Sequence, residues 1–73
     1  MQSDNFILRD RIGTMISHRS ILGHIKVDLD NIQDKEYPYY VKSETTGYEF
    51  HVTKDTKPED WREFSDKCLM ALD

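Results

Sequence analysis

The 73-residue sequence predicts an α+β fold, in which a small curled antiparallel sheet or small barrel of four to five strands carries one C-terminal α-helix. Two observations predict this class. Between residues 6 and 53, short segments alternate apolar and polar residues, which is the period of strands with one buried face. From residue 58 onward, the apolar residues recur at the spacing of a helix that is buried on one side. We expect both parts to form one domain across residues 1–73.

Length and composition limit both the core and the function. A chain of 73 residues buries about 60% of the surface that it exposes when unfolded, so we expect a net stability of about 3 to 5 kcal/mol. The single cysteine, Cys68, cannot form an internal disulfide. No apolar run reaches the ~20 residues of a membrane span. We therefore expect an acidic protein, with a net charge of -4, that is soluble and cytoplasmic, in the host cytoplasm if it is viral.

The N-terminal part of the chain predicts strands. Residues 1–5 are polar and are expected to fray. Residues 5–18 (NFILRDRIGTMISH) indicate one long bent strand or two short ones, with Gly13 at a bulge or a close backbone approach. Residues 23–31 (GHIKVDLDN) predict a half-buried strand whose apolar face holds Ile25, Val27 and Leu29.

The segment YYVKSETTGYEFHV, residues 39–52, predicts a β-hairpin in which Gly47 can take a positive φ at the turn. An antiparallel sheet packed on one face alternates apolar and polar side chains. The predicted inner face holds Tyr39, Val41, Ser43, Tyr48, Phe50 and Val52. The predicted outer face holds Tyr40, Lys42, Glu49 and His51.

Residues 58–72 predict the helix. Thr56 and Glu59 have the spacing of a capping box, and Pro58 suits the first turn. The apolar stripe consists of Trp61, Phe64, Cys68, Leu69 and Leu72. We expect Trp61, Phe64 and Leu72 to close the core against the inner face of the hairpin.

Four segments together carry a resemblance to a known family. They are Ile12-Gly13-Thr14-Met15-Ile16-Ser17, Gly23-His24-Ile25-Lys26-Val27, Tyr37-Pro38-Tyr39-Tyr40-Val41-Lys42 and Gly47-Tyr48-Glu49-Phe50-His51-Val52. Their order resembles the strands of small SH3-like barrels, including KOW-type domains, of the kind found in small bacteriophage proteins. The resemblance covers about residues 6–53 and excludes the helix. It implies a binding module rather than an enzyme.

Histidine, cysteine and glycine residues are present, but their spacings are not those of known metal, catalytic or phosphate-binding sites. The three histidines and Cys68 lack the short spacings that are typical of zinc sites. Cys68 lies in the apolar stripe of the helix, where a thiol acts as a small hydrophobic group. The three glycines are too far apart for a phosphate-binding loop. We therefore expect a non-enzymatic protein with no catalytic residue, metal site or cofactor.

The preferred functional hypothesis is protein binding. Tyrosine is enriched at the energetic centre of protein interfaces, and the outer face of the hairpin presents such a ring. The candidate partner-binding residues are Tyr37, Tyr40, Lys42, Glu49 and His51. The sequence thus predicts a small inhibitor or accessory factor that docks on a larger host or phage protein. A homodimer through a sheet edge is a further option.

The alternative hypothesis is a small barrel that binds single-stranded nucleic acid or RNA. Arg9, Arg11, Arg19 and Lys26 form a locally basic segment, and nearby tyrosines could stack on bases. The net charge of -4 weakens this hypothesis, because cations supply most nonspecific affinity for phosphate.

Overall fold

The computed structural model describes residues 4–72, except for the side chain of Leu72. The elements are β1 (Phe6–Arg9), β2 (Met15–Arg19), α1 (Leu22–Asp30), β3 (Tyr39–Ser43), β4 (Glu49–Val52) and α2 (Pro58–Leu72). All strand pairs are antiparallel, and the sheet has the order β2-β1-β3-β4. The α+β class is confirmed. Of the two forms predicted, the open sheet is the one observed, because β2 and β4 remain at its edges and do not close a barrel.

The first two strands form a hairpin whose turn is held by one carboxylate. The Oδ1 atom of Asp10 accepts hydrogen bonds from the backbone N–H groups of Ile12 at 3.0 Å and Thr14 at 2.9 Å. Gly13 takes φ 92°, a conformation that glycine adopts without steric cost. The turn is therefore ordered by its own residues, although it projects from the sheet.

The strand predicted for residues 23–31 is wrong, because this part of the chain forms α1. Leu22, Ile25 and Leu29 are buried on one side of the helix. Val27, which shares a face with Ile25 in the strand prediction, is 55% exposed. Ile25 and Leu29 are four residues apart, a spacing that fits both the two-residue period of a strand and the 3.6-residue period of a helix. Leu22, three residues before Ile25, fits only the helix and therefore distinguishes the two structures. The helix packs against β1 and β2.

The second hairpin has the predicted inner and outer faces. Tyr39 pairs with Val52 and Val41 pairs with Phe50, so these side chains share one face of the sheet. Gly47 takes φ 79° in the turn, as expected. This hairpin is the part of the fold that the sequence predicts most completely.

Large aromatic rings attach α2 to the sheet. The Phe50 ring lies 5.1 Å from Trp61 edge-on and 5.3 Å from Phe64 in a stacked arrangement. Trp61 and Phe64 are buried, as predicted. Leu69 is 60% exposed, so its placement in the stripe is wrong; it lies about 80° around the helix from Trp61, beyond the contact. The predicted contact of the Leu72 side chain lies outside the described residues.

The start of α2 uses a different cap from the one predicted. The backbone N–H of Lys57 donates to the Oδ2 atom of Asp60 at 2.9 Å, which satisfies a group that the helix leaves free. The Thr56 hydroxyl instead accepts from the N–H of Thr53 at 2.8 Å. The acidic half of a capping box therefore forms one residue later than predicted, between Lys57 and Asp60, and Lys57 has no side-chain oxygen to form the other half.

Trp61→Ala would remove the ring that packs on Phe50 and leave a cavity under α2. We expect the free energy of unfolding to fall by about 3 to 5 kcal/mol, which is the whole stability of a domain of this size. Circular dichroism during urea unfolding measures this change. Leu69→Ala is the control on the same helix and should cost less than about 0.5 kcal/mol. Identical unfolding of Trp61→Ala and the parent chain would show that α2 is not docked.

Candidate functional site

The candidate site is the face of the sheet opposite the helices. Residues that pair across antiparallel strands point to the same side of the sheet, so the register assigns each side chain to a face. Phe6, Leu8 and Tyr39 are buried on the helix side. The other face, which we call the outer face, carries Ile7, Arg9, His18, Tyr40, Lys42, Glu49 and His51. Among residues 4–72, neither helix packs on this face.

A shallow concavity of about 360 Å³ lies on the outer face, and we call it the outer pocket. Its lining includes the rings of Tyr40 and His51, whose centroids are 4.7 Å apart at an interplanar angle of 86°. The remaining lining side chains include Arg9, Arg11, Ile12, Lys42 and Glu49. The pocket therefore combines an aromatic pair, several cations, one carboxylate and an aliphatic group at its rim.

Four of the five predicted partner-binding residues meet in the outer pocket: Tyr40, Lys42, Glu49 and His51. Tyr37 does not. Its ring packs edge-on against Tyr39 at 5.4 Å and contacts the hydrophobic core. Tyr37 precedes β3 and is not held in the strand alternation that turns Tyr40 outward.

The four cations of the predicted nucleic-acid surface are divided between two sides of the molecule. Arg9 and Arg11 line the outer pocket, and one Arg11 guanidinium nitrogen lies 3.2 Å from a carboxylate oxygen of Glu36. Lys26 lies on α1 beside Trp61, on the helix side. Arg19 forms hydrogen bonds with Asp28 of α1. The sequence proximity of these residues therefore does not produce one basic surface.

Arg19 and Asp28 link the edge of the sheet to α1. The guanidinium group donates to both carboxylate oxygens, at 2.7 Å from Nε and 3.2 Å from a terminal nitrogen. The Ser17 hydroxyl also donates to Asp28. The Arg19 hydrogen bond, followed by the Ser17 hydrogen bond, holds the pKa of Asp28 below its usual range. The guanidinium group of Arg19 is therefore occupied by hydrogen bonds that stabilise the fold.

Within residues 4–72, the outer face keeps two cations that form no ion pair. The Nε2 atom of His18 lies 2.6 Å from the Oε1 atom of Glu44, and Arg11 forms an ion pair with Glu36. Arg9 and Lys42 form no ion pair with a carboxylate of residues 4–72. A docking group of negative charge would therefore not have to displace an existing ion pair at these two positions.

No family model, curated protein or solved structure matches the chain. The resemblance to SH3-like and KOW-type barrels is therefore neither supported nor opposed by relatives, and it stays a prediction.

A buried polar cluster beneath the second hairpin was missed by the sequence analysis. Asp4 is 6% exposed, and its Oδ1 atom accepts from the N–H groups of Asn5 at 2.7 Å and Thr45 at 3.1 Å. The Ser43 hydroxyl donates to Oδ2. The expected fraying is therefore wrong for Asp4 and Asn5. Ser43 was the available signal, because a hydroxyl on an apolar inner face needs a hydrogen-bond acceptor.

The same cluster sets the ionisation of its two titratable groups. Burial alone raises the pKa of Asp4, but the hydrogen bonds from Ser43, Thr45 and Asn5 together lower it below its usual range. Burial raises the pKa of the Cys68 thiol, which lies 4.0 Å from the Thr46 hydroxyl. A buried thiol with a raised pKa has little thiolate and is a poor nucleophile.

The described residues also bear on metal binding and on crossing a membrane. Within residues 4–72, no three His, Cys, Asp or Glu side chains are grouped closely enough to hold a metal ion. None of the helices in this part of the chain is both long enough and apolar enough to cross a membrane.

Asp4→Asn tests the buried carboxylate. Because the pKa of Asp4 is lowered in the fold, its charge stabilises the folded state above about pH 4, and this contribution disappears as the pH falls through the folded pKa. We expect the free energy of unfolding to fall by about 1 to 3 kcal/mol at pH 7, with a smaller difference from the parent at lower pH. Urea titrations at a series of pH values measure it. Asp55→Asn, in an exposed turn, is the control, and an equal effect of both changes would contradict the assignment.

Tyr39→Ser and Tyr40→Ser test the assignment of faces. Tyr39 is 3% exposed in the core, so we expect its truncation to cost about 3 to 5 kcal/mol. Tyr40 is half-buried and packs edge-on against His51 of the neighbouring strand, so its truncation should cost no more than about 1 kcal/mol. Thermal melting compares the two variants. A larger loss for Tyr40→Ser than for Tyr39→Ser would place Tyr40 in the core instead.

Proposed function

We propose that the chain is a non-enzymatic protein-binding module, an inhibitor or accessory factor, that docks on a larger protein through the outer pocket. The observation that carries this proposal is the one-sided packing of the sheet. Both helices pack on one face, and the opposite face gathers Tyr40, His51, Arg9 and Lys42 around one concavity. Aromatic residues and arginine are enriched at the centres of protein interfaces, and Tyr40 and Arg9 supply both types here.

The pocket rim offers a preorganised apolar contact. Ile12 is 80% exposed at the tip of the first hairpin, where Asp10 fixes the turn by two hydrogen bonds. A turn whose backbone is already fixed loses little conformational entropy when a partner covers it. Ile12 therefore supplies buried area at low cost, next to the polar groups that orient the partner.

The charge of the pocket favours an acidic segment of the partner. Arg9 and Lys42 have no intramolecular ion pair within the described residues, whereas Arg11 is paired with Glu36 and His18 lies against Glu44. Opposite charge on the partner would raise the association rate and exclude basic competitors more than it raises affinity. Glu49, beside Lys42 in the register, adds a position where a donor of the partner can bind.

Binding of single-stranded nucleic acid is the second candidate, because Tyr40 and His51 present ring edges and faces near Arg9 and Lys42. Three observations favour protein over nucleic acid. Glu49 lies within the pocket and would repel phosphates. Arg19 and Lys26 lie on the helix side. The net charge of the chain is -4.

Affinity capture from a lysate of the native host tests the proposal. Lys42→Glu and Tyr40→Ser should each reduce recovery of the partner about tenfold, because each removes a contact of at least 1.4 kcal/mol at an interface centre. Lys54→Glu makes the same charge change in an exposed turn away from the pocket and should leave recovery unchanged.

Binding to a single-stranded oligonucleotide at low and moderate salt separates the two candidates. Affinity that falls steeply with salt and disappears in Lys42→Glu would support the second candidate and remove the first. Equal protein recovery by all baits would show that the outer pocket is not the docking surface.

A further inference from the structure

β4 is an edge strand with unpaired backbone groups whose direction can be determined. The N–H of Ser43 donates to the carbonyl oxygen of Tyr48 at 2.9 Å, so these two residues form a hydrogen-bonded pair across β3 and β4. Hydrogen-bonded pairs alternate along an antiparallel ladder. Phe50 and Val52 therefore direct their backbone groups toward β3. Glu49 and His51 direct theirs away from the sheet, at its open edge.

The side chains on this edge are self-complementary. If a second β4 pairs with the first in antiparallel orientation about Phe50, Glu49 lies opposite His51 of the second copy, and His51 lies opposite its Glu49. These are the residues whose backbone groups point outward, so the side-chain match and the hydrogen-bonded pairs fall in the same register. The register centred on Phe50 places only this apolar residue opposite its own copy, whereas registers centred on Glu49 or His51 would place two identical polar side chains opposite each other.

The two edges of the sheet differ in their fitness for pairing. The pairing of β2 with β1 is irregular between Leu8 and Arg9, and such an irregularity twists an edge strand away from new partners. The pairing of β3 with β4 shows no register shift over four successive pairs, from Tyr39–Val52 to Lys42–Glu49. Of the two edges, β4 is therefore the one that presents a regular template.

Beside β4, on the helix side, lies a wide groove of about 710 Å³ between Tyr48 and α2. Its walls carry charges of both signs, including Glu63 and Lys67, together with the exposed Met70. The Lys67 ammonium group lies 4.4 Å from the centre of the Tyr48 ring. A second copy joined at β4 would bring its own α2 toward this groove, where opposite charges can meet across the two-fold axis.

We propose that the β4 edge binds a second copy of this chain, with the two-fold axis at Phe50 and the sheet continuing through both copies. The paired Glu49 and His51 side chains fix the register. Pairing would place two outer pockets on one continuous face, although the proposal does not depend on what those pockets bind.

Charge-swap variants test the register. His51→Glu places two carboxylates opposite each other twice per dimer, so the dissociation constant should rise at least tenfold. The double variant Glu49→His/His51→Glu restores opposite pairs and should return the dissociation constant to within about threefold of the parent. His24→Glu makes the same change on α1, away from β4, and should have no effect. Sedimentation velocity from about 10 to 500 μM measures the constants, since dimerisation follows mass action.

Amide hydrogen exchange gives a second measurement on the unaltered chain. The amides of Glu49 and His51 point to the open edge, so they should become protected as the concentration rises. A chain that stays monomeric throughout this range overturns the proposal and leaves the edge to an extended segment of another protein. A dimer that persists unchanged in His51→Glu overturns it as well, because the interface would then lie elsewhere.

Discussion

The contact of Phe50 with Trp61 and Phe64 is the interaction on which the rest of the structure depends. These rings hold α2 on the inner face of the sheet and bury the apolar residues of β3 and β4 beneath it. A domain of this size has enough apolar residues for only one hydrophobic core, and α1 and α2 both pack on the same face of the sheet. The outer face is consequently left to solvent or to a partner, and its polar and aromatic composition follows from that division.

The parts of the fold that the sequence predicts correctly are those with local and unambiguous signals. The hairpin of β3 and β4 combines strict alternation with a glycine at the turn, and α2 combines a proline in the first turn with a regular stripe. The strand prediction for residues 23–31 failed because Ile25 and Leu29 fit both the two-residue period of a strand and the 3.6-residue period of a helix. Only packing of Leu22 against the other core residues decides between them, and that is a tertiary effect.

Part of the candidate site could also be predicted. Tyr40, Lys42, Glu49 and His51 share a face because of alternation within one hairpin, and this needs no knowledge of the fold. The addition of Arg9 could not be foreseen, because it requires β1 to lie beside β3. The local sequence gives no strand order. Likewise, Arg19 and Lys26 are separated from Arg9 because α1 lies on the opposite side of the sheet. The position of α1 is a tertiary feature that the local sequence does not specify.

The position of Trp61 has a spectroscopic consequence. It is the sole tryptophan of the chain, and its indole lies against Phe50, the central residue of the edge strand β4. Indole emission is sensitive to the polarity and packing around the ring. The protein thus carries an intrinsic fluorophore that is buried in its core yet one side chain away from its open edge. Events at that edge and loss of the core would both reach the same reporter, which makes ligand titration and unfolding readable without a label.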